Sequence, residues 1–175
     1  MSGKKIKILS PGYKTLLVSV LIIMMTAGCQ RDDICSAATQ TTPMLLISFF
    51  DAEDRVTPKA APNLLVREIF YDTIIYNRES TAEIRIPLRV DSGTTEYEFV
   101  LNAPVDGAAN ESSSDRVTIS YDPEEIYISR ACSFKVNFRN IAASVIPGNN
   151  SWIQSITIVE ENIENETSAH IHIFH

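Results

Sequence analysis

Three histidines close the chain, at His170, His172 and His175. His170 and His172 stand two apart, the spacing at which strand residues share a face and at which paired metal ligands sometimes sit. Ile171 and Ile173 alternate with them, so the histidine face is expected to point to solvent, at a chain end that is usually poorly ordered. No carboxylate or thiol takes a recognisable further ligand position, and no metal site is read here. Asp51-Ala52-Glu53-Asp54 and Glu160-Glu161-Asn162 cluster acids, but neither has the Asp-x-Asp-x-Asp-Gly spacing of a calcium loop, so both read as solvated turns. A glycosidase needs two positioned carboxylates in a cleft, and with 22 Asp+Glu any pair can be nominated. There is no Gly-x-Ser-x-Gly elbow, no phosphate-cradling glycine loop and no His-Glu-x-x-His. No catalytic residue and no cofactor is assigned, and a non-enzymatic protein is expected. Trp152, Tyr127, Tyr71 and Tyr76 are the rings that could stack on a sugar from an outward face; packing between strands accounts for them equally well.

The charges are unevenly placed. Lys4, Lys5, Lys7 and Lys14 have no acid near them, and the 147 residues after position 28 hold 11 Lys+Arg against 22 Asp+Glu, a formal charge of about −11. So acidic a body repels phosphate backbones, and nucleic acid is excluded as a partner. The basic start is followed by a ten-residue stretch, Leu16 to Met25, apolar except for Ser19, and then by Thr26-Ala27-Gly28-Cys29. That is the three-part layout of a secretory signal. At about 1.5 Å per residue the apolar run covers roughly half of a ~30 Å hydrocarbon core, too little for a spanning helix.

Ala27-Gly28-Cys29 resembles the bacterial lipobox, with Thr26 where a leucine is usual. The resemblance implies cleavage after residue 28 and acylation of Cys29, a membrane anchor of two or three chains at ~0.8 kcal/mol per buried CH₂. Gln30-Arg31-Asp32-Asp33 then resembles the surface-export signal of Bacteroidota lipoproteins, which points to the cell surface of the outer membrane ahead of the periplasmic face. With Cys29 acylated, Cys35 and Cys132 are left in an oxidising compartment, where a structural disulfide is expected and two unlinked thiols are the alternative. Asp72-Thr73-Ile74 resembles the Bacteroidota O-glycosylation sequon, which makes Thr73 a candidate modification site.

The remaining chain reads in period two. Ile84, Ile86, Leu88 and Val90 alternate with polar residues; so do Tyr97, Phe99 and Leu101, then Val117, Ile119 and Tyr121. Cys132, Phe134, Val136 and Phe138 are expected on one buried face. Ile126 with Ile128, Ile156 with Ile158, and Ala169 with Ile171 and Ile173 mark further strands. Met44–Phe50 and Leu64–Tyr76 are apolar without alternation, as central or bulged strands are. Asp91-Ser92-Gly93 reads as a hairpin turn, Asp122-Pro123 as a break between strands, Pro147 to Asn150 as a loop, and Asn102 to Asp115 as a long polar loop. Pro87 relegates its strand to an edge or a bulge. Eight or nine short strands predict an all-β chain with a single antiparallel β-sandwich, immunoglobulin-like, over residues 43–175. A signal over 1–28 and a lipidated tether over 29–42 precede it, and a closed barrel is the second choice.

Asp33-Ile34-Cys35, Thr41-Thr42-Pro43 leading to Phe49-Phe50-Asp51, Ser129-Arg130-Ala131-Cys132 with Phe134, and Ile163-Glu164-Asn165-Glu166 before Ala169-His170-Ile171 together resemble an uncharacterised lipoprotein family of Bacteroidota. The resemblance implies an intact domain in the envelope and supplies no catalytic residue. The expectation is a lipid-anchored interaction or assembly module with an envelope protein partner; the alternative is a glycan-binding lipoprotein serving nutrient capture.

Overall fold

The computed structural model describes Gly12, Thr15, Leu16, Ser19, Leu21 and residues 34–104 and 111–175. Nine strands follow in order: β1 (Leu45–Phe50), β2 (Ala61–Glu68), β3 (Thr73–Thr81), β4 (Glu83–Ile86), β5 (Thr94–Leu101), β6 (Ser113–Ser129), β7 (Ser133–Pro147), β8 (Ser155–Ile158) and β9 (Ile171–Phe174). They form a four-stranded sheet, β4-β1-β9-β8, and a five-stranded sheet, β3-β2-β5-β6-β7. Both contribute to one apolar core, Leu45, Ile47 and Phe49 from the first and Val66, Tyr97, Phe99 and Ile119 from the second. The all-β sandwich expected from the period-two pattern is therefore present. One pairing departs from the antiparallel rule: β1 runs parallel to β9, Ile47 opposite Ile171. Among the described residues no helix is long and apolar enough to cross a membrane.

The apolar run Met44–Phe50 lacks alternation because β1 is central, and Leu46 is as buried as its neighbours Leu45 and Ile47. Leu64–Tyr76 is not one strand but a hairpin, β2 and β3 joined over residues 69–72. Its turn is disguised by Phe70 and Tyr71; the chain reverses where Asp72 takes a left-handed φ of 53°, which aspartate tolerates. Asp91-Ser92-Gly93 is not a hairpin turn either. It belongs to the crossover that leaves β4 in one sheet and enters β5 in the other, and Pro87 lies just past the end of β4.

Asp122-Pro123 does not break the chain, because β6 runs through it with a register shift after Ser120. Pairing with β5 ends at Ser120, so proline sits where β6 has an unpaired edge. Beyond that point β6 and β7 form a two-stranded arm. Its alternation is reversed from expectation: Phe134 is exposed and Lys135 buried. The cause is the segment before β1, which lies along the arm, with Lys135 Nζ donating to Gln40 Oε1 at 3.1 Å and Val136 N–H to Thr42 Oγ1 at 2.9 Å. Cys132 occupies the turn of the arm and not the buried face, and its sulfur is bonded to that of Cys35 across 97 residues, with the Cα atoms 4.8 Å apart.

Candidate binding cavity

The inner face of β2 continues Leu64 and Val66 with an acid, Glu68. Register sets Glu68 beside Thr73 of β3 and Tyr97 of β5 in one row. Glu68 is only 5% exposed. Its Oε2 accepts the Tyr71 N–H at 2.6 Å, which closes the turn after β2; its Oε1 has no hydrogen-bond partner among the described residues. A buried carboxylate oxygen without a donor is unfavourable unless something else serves it.

Glu68 lines a cavity of about 520 Å³ between the β2–β3 turn and the crossover, walled mainly by Tyr71, Ile75, Pro87, Leu88 and Val90. The crossover is pinned from below. Tyr97 O–H donates to the Pro87 carbonyl. Arg89 N–H donates to Thr95 Oγ1 at 3.0 Å, the Thr95 hydroxyl lies 2.5 Å from that of Tyr121, and Tyr121 O–H donates to the Arg89 carbonyl at 2.8 Å. Burial, and then the nearby Glu68 charge, push the Tyr97 phenol up; burial does the same to Tyr121. Both hydroxyls therefore stay protonated as donors. At the rim the Arg89 guanidinium holds Asp91 through two bonds of 3.1 and 3.2 Å and lies 3.9 Å from the centre of the Phe70 ring. That hydrogen bond to Asp91 raises the Arg89 pKa and lowers that of Asp91. Phe70 and Tyr71 are 66% and 59% exposed and stand edge to face, 88° apart.

Residues 63–175 match a family of unknown function (DUF6452). The chain belongs to that family. No curated protein and no solved structure matches it. Every residue of the cavity falls inside the matched segment, whereas β1 and Cys35 precede it. The domain of this family member is thus completed by a central strand supplied from outside the matched residues.

Of the residues singled out in the sequence, Cys35 and Cys132 are brought together. Cys29, Gln30, Arg31, Asp32 and Asp33 lie outside the described residues. Thr73 is exposed, opens β3 and lines the cavity, its hydroxyl donating to the Tyr71 carbonyl at 3.4 Å. The histidines contradict the expected solvated face. His170 is 1% exposed, its Nδ1 accepting the Leu46 N–H and its Nε2 donating to the Asn165 carbonyl, both at 3.0 Å. His175 is buried against Phe49 and Trp152. Burial lowers the pKa of all three rings. The chain end is held because Phe50, Ala52 and Lys59 bond the backbone of His175.

Trp152 is a core residue, its Nε1 donating to the Phe99 carbonyl at 3.2 Å, and Tyr76 is spent on the Arg85 N–H. Asp51 and Asp54 accept backbone N–H groups of their own turn, as expected of a solvated turn. No group of three potential metal ligands exists among the described residues. Sequence reasoning missed Glu68, Arg89 and Asp91. The first carried a signal, since an acid on the buried side of the alternation Leu64-Val66-Glu68 marks a burial that needs a reason.

Proposed function

We propose that this protein is an outer-membrane lipoprotein, anchored through Cys29 and displayed at the cell surface under the Gln30–Asp33 signal. Its immunoglobulin-like sandwich is a non-enzymatic module that binds an envelope partner. The observation that carries the binding part is the cavity. Its tyrosine, threonine, arginine and aspartate groups are engaged in holding the crossover and rim, and one buried carboxylate oxygen, Glu68 Oε1, is left without a donor. Such a site is equipped to hold a group and not to transform it. The Cys35–Cys132 bond supports an oxidising compartment. The glycan reading is less favoured, because Phe70 and Tyr71 stand edge to face and do not form a flat platform.

The test is capture from native membranes with wild type and Val90→Arg, a change at an exposed position on the cavity wall. A partner recovered with wild type and lost with Val90→Arg is the expected result, alongside release of Cys29→Ala from the membrane fraction. A partner held equally by both proteins would remove the cavity from the reading, and a membrane-bound Cys29→Ala in high salt would remove the anchor.

A further inference from the structure

Resting on the reading of the cavity as a binding site, we infer that its ligand is a protonated primary amine carried on an apolar stem, as a lysine side chain or a free alkylamine presents it. The unserved oxygen of Glu68 sets the first requirement. Glu68 Oε1 accepts and cannot donate, so the group that meets it must bring hydrogens. The charges nearby then choose between neutral and cationic donors. Arg89 is committed to Asp91 through Nε and Nη2, and its face is covered by Phe70. One cation among two anions, Glu68 and Asp91, leaves the cavity with an excess negative charge. That charge sits on the one carboxylate that is buried, where it is screened least.

The walls decide what carries the donor. Ile75, Pro87, Leu88 and Val90 offer carbon, and around them the Thr73, Arg89, Asp91 and Tyr97 side chains already have partners within the fold. A sugar would have several hydroxyls with nothing to bond, each a desolvation penalty. A straight chain of four to six methylenes would instead cover the walls and deliver one ammonium to Glu68. A volume of about 520 Å³ accommodates such a stem, being within the ~300–1,000 Å³ range of small-ligand sites. The hydrogen bond formed is charge-assisted on both sides, the strong kind.

The proposal is tested on the full chain by following the methyl resonances of Ile75, Leu88 and Val90 while titrating hexylammonium, hexanol and hexanoate. A peptide with blocked ends and one internal lysine is the fourth probe. Hexylammonium is expected to shift these methyls and to bind about tenfold more tightly than hexanol, with hexanoate weakest. Glu68→Gln should abolish the preference for hexylammonium over hexanol. Binding of the blocked peptide would assign the amine to a polypeptide partner, and its failure beside a binding hexylammonium would assign it to a free amine. Hexanol binding as tightly as hexylammonium, or an amine preference that survives Glu68→Gln, overturns the ligand class while the binding site stands. If no probe moves the methyls, the site and the ligand class fall together.

Discussion

Two acids lie on the inner face of the five-stranded sheet, in adjacent rows and on either side of β5. Asp115 faces Phe99, and Glu68 faces Tyr97. Both are buried, yet they are served differently. Asp115 Oδ1 accepts Gly148 N–H at 3.1 Å, and Oδ2 accepts the N–H groups of Trp152 and Ile153 at 2.8 Å each. It closes the loop after β7 and sets Trp152 in the core. Glu68 has one N–H on one oxygen and nothing within the described protein on the other. The contrast separates a carboxylate that completes a fold from one that the fold leaves incomplete. Burial alone does not distinguish a site from a structural cap; the count of donors does.

The largest effect should come from breaking the saturated acid. Asp115→Ala strands three backbone N–H groups, two of them at the buried Trp152 and Ile153, and is expected to cost about 3 kcal/mol in denaturant unfolding, with faster amide exchange at Trp152 and Ile153. A loss near zero would mean that the loop finds other acceptors. Gly148→Ala attacks the same cap from the other side. A Cβ there would lie 2.3 Å from the Ser114 carbonyl oxygen, so backbone must shift and the bond to Asp115 with it. The expected cost is about 2 kcal/mol, and an unchanged midpoint would show that the loop gives way freely.

Acid sharpens the comparison further. Burial would push the Asp115 carboxyl up, but the Ile153 N–H, the Ser151 hydroxyl and the Trp152 and Gly148 N–H groups outweigh it and hold the pKa below the ordinary carboxylate value. A folded pKa below an unfolded one of about 3.9 gives stabilisation that is complete above that pH and lost as pH falls through the folded value. Asp115→Asn should therefore be less stable than wild type by about 1 kcal/mol at pH 7. The gap should close on acidification below about pH 4. A gap that stays constant down to pH 2.5 would contradict the donor arrangement around Asp115.

Much of this architecture is legible in the sequence. Alternation located the strands, the unbroken run at Met44–Phe50 marked the central strand β1, and the expected pairing of Cys35 with Cys132 is present. The failures have specific physical origins. Phe70 and Tyr71 hid a turn, because two exposed rings there look like strand residues. Pro123 suggested a break but sits on a free edge. Lys135 and Phe134 exchanged places because a segment distant in sequence covers the arm, and His170 was drawn inside by a bond to Leu46. The cavity depends on β2, β5 and a crossover between sheets meeting at one point. Period two specifies which face a residue occupies and not which loop arrives above it, so only the odd acid at Glu68 was visible in the sequence.

The smallest expected effect is the one that most directly separates the two acids. In Glu68→Gln the amide oxygen can keep the Tyr71 N–H bond, the one structural duty the native side chain performs. The nitrogen replaces an oxygen that has no partner to lose, and the exchange removes a buried charge, which is itself favourable. The net change in unfolding free energy should be under about 1 kcal/mol in either direction, well below that of Asp115→Ala in the same sheet. Parallel urea titrations of the two variants measure the difference on one scale. Should Glu68→Gln cost as much as Asp115→Ala, the second oxygen of Glu68 must be bonded within the fold, and the two acids would be caps of the same kind.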